Sequence, residues 1–248
     1  MLAALLLVAL LGAWQLYADL GGIDPLILPS PSGIASALYD DRSLLWSQFL
    51  VTAQEMALGL LLAAAIGVLL ALLLHLSATL RRAVYPLLVG SQAIPVTILA
   101  PLLVVWFGYD LGPKVVIVAL VCFFPLVVPT LDALDGTPAA RDRVLRTLGA
   151  SRWQRLRYAE LPAAVPGLFT GARLAVAVSA IAAVLAEQSG STAGLGHLIA
   201  QAIPALDTAL AWAAVVVLSL FAILLFNALT VAQRRLAPWS HRTRGARS

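Results

Sequence analysis

The amino-acid sequence predicts an all-α integral membrane protein with six transmembrane helices and a folded cytoplasmic loop, and three observations support this fold class. Of the 248 residues, 61% are hydrophobic and 11% are charged, whereas about a quarter of the residues in a soluble domain are charged. Apolar runs of about 20 residues, the length that crosses the hydrocarbon core, recur along the chain. The basic residues are grouped between particular runs rather than on one soluble face, which argues against a nucleic-acid-binding surface.

Six apolar runs define the spans of a single transmembrane domain, 1–248, and they cover residues 1–19, 52–75, 84–106, 115–131, 164–186 and 209–232. The first run could also be a signal peptide, but no basic residue precedes it and no small-x-small cleavage motif follows it. Trp14 and Tyr17 suit an anchor at the membrane surface, so we favour a retained helix. A basic flank is usual for a helix that starts inside, and an earlier start of the chain would supply one.

The basic residues orient these spans, because cytoplasmic loops of membrane proteins carry an excess of Lys and Arg. With the N-terminus inside, the cytoplasmic segments are 76–83, 132–163 and 233–248. They hold thirteen arginines, namely Arg81, Arg82, Arg141, Arg143, Arg146, Arg152, Arg155, Arg157, Arg234, Arg235, Arg242, Arg244 and Arg247. The outside segments hold Arg42 and Lys114. Both termini are therefore expected in the cytoplasm.

The segments outside the membrane carry their own local signals. The outer segment has a rigid turn from Leu28 to Ser32, and a short surface helix over 33–50 is expected to begin with Ser32 as its N-cap. The basic tail, 233–248, is expected to fray near anionic headgroups.

Segment 132–163 is long for a connection between membrane helices, and loops of that length are usually functional or disordered. The sequence predicts two short helices in it. The first covers 138–148 and ends at Gly149, and the second, capped by Ser151, runs through Tyr158. Composition alone leaves two interpretations open, an amphipathic pair resting on the headgroups or a knob that inserts into a cytoplasmic partner.

This segment resembles the signature of ABC importer permeases, which reads Glu-Ala-Ala, three residues, Gly, nine residues, Ile, one residue, Leu-Pro. Gly149 and Leu161-Pro162 stand at that spacing. Residues 143–145 read Arg-Val-Leu in place of the first triplet, and Ala159 replaces the isoleucine. The signature is therefore matched in part.

The surrounding sequence extends the resemblance over nearly the whole chain. Residues 147–154, 161–164 and 171–174 resemble the permeases for nitrate, sulfonate, taurine and related organic solutes, as do residues 28–31 and the Gly-Leu-Gly at 194–196. A finer likeness points to the branch that imports thiamine-precursor pyrimidines such as hydroxymethylpyrimidine. It lies in residues 91–95, 100–103, 106–109, 112–114, 123–125 and 237–239. Flavin and sulfonate branches remain alternatives.

The resemblance implies a type I ABC importer permease fold in a bacterial plasma (inner) membrane, acting as a homodimer. It also implies an external solute-binding protein and two copies of an ATP-binding subunit, which would hold ATP and Mg. The first helix of the segment would be a coupling helix in a groove of that subunit, and Leu161-Pro162 would break the chain and return it to the membrane. The residues implied in coupling are Leu145, Arg146, Leu148, Gly149, Ala150, Ser151, Trp153, Leu161 and Pro162.

Ionisable and polar residues within the spans are candidates for a translocation path, since charges in hydrocarbon are costly. Glu55 and Glu187 lie near the outer ends of two spans, and His75 is expected to be interfacial. The candidate path residues are Gln92, Thr97, Phe123, Phe124, Arg173, Ser179, Glu187 and Gln188. Helix packing is the alternative interpretation for each of them. Four prolines are expected to kink spans three and four, namely Pro95, Pro101, Pro125 and Pro129.

No Gly-x4-Gly-Lys-Ser/Thr motif occurs, so the chain is not expected to bind ATP or any other cofactor itself. No metal-ligand cluster or catalytic constellation is recognisable either. An ATP-independent secondary transporter is the alternative function. Such a protein would be expected to show a buried charge relay or inverted repeats with broken helices, and neither is clear in this sequence.

Overall fold

A computed structural model describes residues 2–22 and 24–241, and every regular element in this part of the chain is helical. The α-helices are α1 (Leu2–Leu20), α2 (Pro31–Asp40), α3 (Arg42–Leu76), α4 (Ala78–Ser91), α5 (Val96–Phe107), α6 (Leu111–Asp135), α7 (Ala139–Thr147), α8 (Arg152–Arg155), α9 (Leu161–Gln188), α10 (Leu195–Ala202) and α11 (Thr208–Leu236). A π-helical turn, Leu156–Glu160, joins α8 to α9, and a 3-10 turn, Pro238–His241, follows α11.

The expected count of six spans is not confirmed. Within the described residues, four helices are long and apolar enough to cross a membrane: α3, α6, the continuous helix Arg152–Gln188, and α11. The pair α4 and α5 can supply a fifth span. The apolar part of α1, Leu5–Leu20, is shorter than a span of this kind, and its indole at Trp14 packs edge-on against Trp212 of α11, with ring centroids 5.4 Å apart.

The span expected over 84–106 is broken into two helices that meet at 96°. Helix α4 ends at Ser91, and α5 begins after Pro95. Proline has no backbone N–H and disfavours helical conformation in the residue before it, which favours a break at this point. Pro101, Pro125 and Pro129 lie inside α5 and α6, which continue past them.

The outer segment differs from expectation in its cap and its length. Ser30, not Ser32, caps α2, and its hydroxyl accepts a hydrogen bond from the backbone N–H of Gly33 at 3.1 Å. Pro31 occupies the first helical position, which fixes the cap one residue before it. The Ser32 backbone N–H instead donates to Oε1 of Gln15 in α1 at 3.0 Å. Helix α2 ends at Asp40, and the rest of 33–50 belongs to α3.

Helix α6 packs between α3 and α9, and small residues allow these three central helices to approach one another closely. On α3 the small residues recur every fourth position, and on α9 they do the same; this is the small-xxx-small pattern of membrane helix pairs. The buried residues of these rows are Gly59, Ala63, Gly67 and Ala71 on α3 and Gly171, Ala175, Ser179 and Ala183 on α9. A Cβ added to Gly171 would lie 2.6 Å from the Pro125 carbonyl oxygen of α6.

The C-terminal end of the described chain returns to the start of α9. The Trp239 indole N–H donates to the carbonyl oxygen of Pro162 at 3.2 Å. Arg234 and Arg235 lie in the last turn of α11. Three arginines of the expected basic tail lie outside the described residues, namely Arg242, Arg244 and Arg247.

Candidate functional site

The connection between α6 and α9, residues 136–160, is called here the α6–α9 loop. Its first helix, α7, ends as the sequence predicts. Gly149 has φ 76°, its N–H donates to the Arg146 carbonyl at 3.0 Å, and the Ala150 N–H donates to the Leu145 carbonyl at 2.9 Å. These two bonds form a Schellman motif, in which a residue in the left-handed region ends the helix.

The predicted second helix begins at the predicted cap but does not stop. The Ser151 hydroxyl accepts from the backbone N–H of Gln154, and the Gln154 side chain accepts from the Ser151 N–H at 2.7 Å, which completes a capping box. Helix α8 then passes through the π-helical turn directly into α9. Leu161-Pro162 therefore does not break the chain, contrary to the sequence prediction. In the π-turn the Leu161 N–H bonds to the Leu156 carbonyl, five residues back. Pro162 follows directly after this bond, where the regular hydrogen-bond ladder is already interrupted and a missing N–H is tolerated.

Asp142 fastens the two helices of the loop to each other. Its carboxylate accepts from Arg155 of α8 at 2.6 Å and pairs with Arg146, one turn along α7, at 2.8 Å. The hydrogen bond from Arg155, followed by that from Arg146, holds the pKa of Asp142 below its usual range. Arg146 is thus paired within its own helix, although its side chain is still 63% exposed.

Large apolar side chains project from this fastened loop. Leu148 is 76% exposed and Trp153 is 65% exposed, whereas Leu145 is half-buried and Leu156 is buried. Exposed apolar side chains grouped on one rigid element usually mark a surface that binds a partner or a membrane. The geometry therefore brings the predicted coupling residues around the Gly149 turn together at one tip, while Leu161 and Pro162 lie apart from it at the start of α9.

Four polar residues lie together at the base of the loop and are called here the His75 cluster: His75, Arg81, Asp135 and Glu160. No pattern in the sequence predicted this grouping. His75 Nδ1 lies 2.7 Å from Oδ1 of Asp135, and Nε2 lies 2.8 Å from Oε2 of Glu160. Arg81 of α4 also pairs with Asp135. The expected interfacial position of His75 stays a prediction; within this network its side chain is 11% exposed. Its partners lie 60 and 85 residues away in the sequence, beyond the reach of a local pattern.

A second buried network, the Glu187 cluster, lies at the opposite end of α9. Glu187 is 1% exposed, although it lies near the outer end of its helix. Its carboxylate accepts from the Thr52 hydroxyl at 2.6 Å and from the Gly196 backbone N–H at the start of α10. A side chain at Gly194 would collide with this carboxylate, so glycine at that position lets α10 close over it.

Glu55 and Lys114 complete the Glu187 cluster. Lys114 Nζ lies 3.3 Å from Oε1 of Glu55 and donates to the Ser191 hydroxyl at 2.7 Å. Glu55 is fully buried. Lys114 was expected only as a charge on the outside of the membrane. Lys114 stands at the start of one apolar run, and Glu55 stands near the outer end of another span. This shared placement is the sequence signal that could have predicted their ion pair.

The candidate path residues are not gathered in any of three surface grooves found among the described residues. Gln92, Thr97 and Gln188 are exposed, and Phe123 and Phe124 are half-buried. Three surface grooves of about 330, 450 and 560 Å³ are lined by other residues.

The remaining three path candidates have partners inside the chain. Ser179 is buried, and its hydroxyl donates to the Val176 carbonyl at 2.9 Å, so it serves helix packing. Arg173 donates to the Gln233 side chain of α11, and Glu187 is held in the cluster already described.

Comparison with known proteins identifies close relatives. The profile of the family described as binding-protein-dependent transport system inner membrane component matches residues 63–242. A formylaminopyrimidine transport permease of Halalkalibacterium halodurans is 37% identical over 91% of this chain and 90% of that protein. A riboflavin transport system permease of Chloroflexus aurantiacus is also 37% identical, over 94% of this chain and 88% of that protein.

A solved structure supports the fold. A chain of the MetNI methionine ABC transporter, in an inward-facing conformation, superposes with a TM-score of 0.69. The match covers 79% of this chain and 98% of that chain, at 21% sequence identity.

Proposed function

Because this chain belongs to the family of binding-protein-dependent transport inner membrane components, the permease subunits of ABC importers, we propose that it imports a thiamine-precursor pyrimidine of the hydroxymethylpyrimidine type. As a permease subunit, the chain is not an enzyme itself, and a separate subunit hydrolyses ATP. In this proposal an external binding protein delivers the solute, and two copies of the ATP-binding subunit, with their ATP and Mg, drive its passage through the bacterial plasma membrane.

The α6–α9 loop is the proposed contact with the ATP-binding subunit. The single observation that carries this part of the proposal is its exposed tip, where Leu148 and Trp153 project from a loop that the Asp142 ion pairs and the Ser151 capping box hold rigid. A rigid apolar knob loses little conformational freedom when it enters a groove. The exposed guanidinium of Arg146 would face acidic residues at the rim of that groove.

A homodimer is proposed because one chain does not enclose the candidate path residues. The break between α4 and α5 leaves residues 92–95 outside any helix and exposed within an apolar helix pair. Irregular backbone at membrane depth is tolerated only against protein or a water-filled cavity. A second copy on this face would bury the break, and Gln92 and Thr97 would then line the interface.

The substrate class is inferred from the relatives. The formylaminopyrimidine permease is similar to this chain over nearly its whole length, and residues 91–95 and 106–109 carry the likeness to that branch. The riboflavin permease is equally identical, so riboflavin is the first alternative, followed by taurine and other sulfonates.

The proposal is tested by reconstituting the chain in liposomes with its cognate ATP-binding subunit and binding protein. ATP hydrolysis is measured with hydroxymethylpyrimidine, riboflavin or taurine on the binding protein. We expect hydroxymethylpyrimidine to stimulate hydrolysis and uptake. Leu148→Asp is expected to weaken co-purification of the ATP-binding subunit, while Tyr39→Asp, which changes an exposed aromatic residue of α2, is not.

Each alternative outcome has a definite meaning. Stimulation by riboflavin or taurine alone would refute the pyrimidine assignment and leave the importer assignment standing. Uptake by liposomes that contain this chain alone, without any associated ATP-binding subunit, would refute the proposed machine.

A further inference from the structure

We propose that His75 is a positioning residue for coupling, because it ties both ends of the α6–α9 loop to the end of α3; this inference rests on the importer function proposed above. The loop leaves α6 after Asp135 and joins α9 after Glu160. His75, in the last turn of α3, bonds to both residues through its two ring nitrogens, at 2.7 and 2.8 Å. One side chain thus bridges the two stems of the loop.

The chemistry of the ring favours a strong bridge. An imidazole ring carries one nitrogen on each of two edges and can bond to two groups at once. In His75 each ring nitrogen faces one carboxyl group, that of Asp135 or that of Glu160. Arg81 also pairs with Asp135, so this carboxyl group is held from both α3 and α4. The His75 and Glu160 side chains are 11% and 10% exposed, and charge-assisted hydrogen bonds shielded from water are stronger than those on a surface.

The placement gives the bridge a mechanical role. A partner that pushes on the tip of the loop acts on α6 through one stem and on α9 through the other. With the His75 cluster intact, both stems are bonded to α3, and α4 joins them through Arg81. The displacement of the tip is then shared by all four elements. Without His75, the two stems lose their shared bond to α3, and less of the displacement of the tip reaches α3 and α4.

The experiment uses the reconstituted complex and whichever of hydroxymethylpyrimidine, riboflavin or taurine stimulates the unsubstituted complex. It measures the solute imported per ATP hydrolysed, together with the yield of assembled complex. His75→Phe keeps a planar ring and removes both N–H donors, and His75→Gln keeps one donor. Arg82→Gln is the matched control, because Arg82 is an exposed basic residue next to Arg81 on α4.

We expect His75→Phe to assemble and to hydrolyse ATP, with the ratio of solute to ATP reduced about fivefold or more, which is the lower end of typical coupling between sites. His75→Gln should give an intermediate ratio, and Arg82→Gln should match the unsubstituted chain. Combining His75→Phe with Glu160→Gln should reduce the ratio no further than His75→Phe alone, because both changes remove the same bond.

Three outcomes would overturn the role of His75: an unchanged ratio in His75→Phe, an equal loss in Arg82→Gln, or full additivity in the double variant. If His75→Phe does not fold, His75→Gln decides, and an unchanged ratio there overturns the role as well. Failure of the importer function itself looks different, since the unsubstituted complex would then neither assemble nor transport.

Discussion

At the scale of single residues, Gly149 shows how one backbone conformation shapes the α6–α9 loop. Its φ of 76° ends α7 and turns the chain toward Ser151. A Cβ at this position would meet no atom within 4 Å, so the requirement for glycine is conformational and not steric. The position of the exposed Leu148 side chain depends on this turn.

Replacing Gly149 with alanine should weaken binding of the ATP-binding subunit without unfolding the membrane helices. A left-handed conformation costs a residue with a Cβ about 1 kcal/mol, which corresponds to about a fivefold loss of affinity if the partner needs the turn preformed. Affinity is measured by titrating the ATP-binding subunit onto detergent-solubilised permease. Gly149→Asn should bind more tightly than Gly149→Ala, since Asn tolerates this region better. Equal affinities in all three chains would contradict the prediction.

At the scale of helices, the close contact between α6 and α9 depends on glycines of α9, which have no side chain where they face α6. A Cβ at Gly167 would lie 2.6 Å from the Pro129 carbonyl oxygen and would also collide with Ala133 of α6. The atoms that it would meet are backbone or the first side-chain atom, which cannot rotate away. The two helices would have to separate, and the rows of small residues on them would lose contact.

Gly167→Val should therefore destabilise the permease by about 1–3 kcal/mol or more. The thermal midpoint in detergent should fall by about 5 °C, using the usual relation for a chain of this size. Gly90→Ala is the control, because it also adds a Cβ to a helical glycine but places it where no atom lies within 4 Å. A midpoint of Gly167→Val equal to that of Gly90→Ala would show that the α6–α9 contact is looser than described.

Local signals in the sequence predicted local features of the elements, and distant partners decided the rest. The Gly149 stop and the Ser151 cap depend on residues within one turn, and both are confirmed. The break at Pro95 was expected only as a kink, because the size of a bend depends on what packs around it. The π-turn at 156–160 was missed for a related reason, since its hydrogen bonds compete with those of an ordinary α-helix by a small margin.

The same distinction holds for the candidate site: features set by neighbouring residues were predictable from the sequence, and those set by distant partners were not. Leu148 and Trp153 were expected to contact the ATP-binding subunit; both side chains are exposed, and the contact itself stays a prediction. Glu187 was expected in the path, yet it binds Thr52 of another helix, 135 residues away in the sequence. An acidic residue within an apolar run is recognisable as unusual from a single sequence. The sequence does not reveal which group binds the carboxylate and offsets the cost of burying it.

At the scale of the whole molecule, orientation remains a prediction from the arginine distribution. The chain offers a clean background for testing it, because its single cysteine, Cys122, is fully buried. The α6–α9 loop and the α2–α3 segment are predicted on opposite sides of the membrane. A cysteine placed in each reports which side it faces.

Leu148→Cys should react with a membrane-impermeant maleimide in inside-out vesicles and not in right-side-out vesicles. Ser43→Cys, at an exposed position near the start of α3, should show the reverse. The unsubstituted chain should stay unlabelled in both preparations. Labelling of both substituted chains from the same side would refute the predicted topology.

The continuity of α8, the π-turn and α9 has a mechanical consequence. Residues 152–188 form one helix of 37 residues, about 55 Å long at 1.5 Å per residue, with the loop tip at one end and the Glu187 cluster at the other. A helix of this length that tilts as one body displaces its far end by more than its near end. A small rotation at the end next to the ATP-binding subunit therefore produces a larger sideways shift at the Glu187 cluster. This helix would bend first at the π-turn, where the regular hydrogen-bond ladder is interrupted next to Pro162.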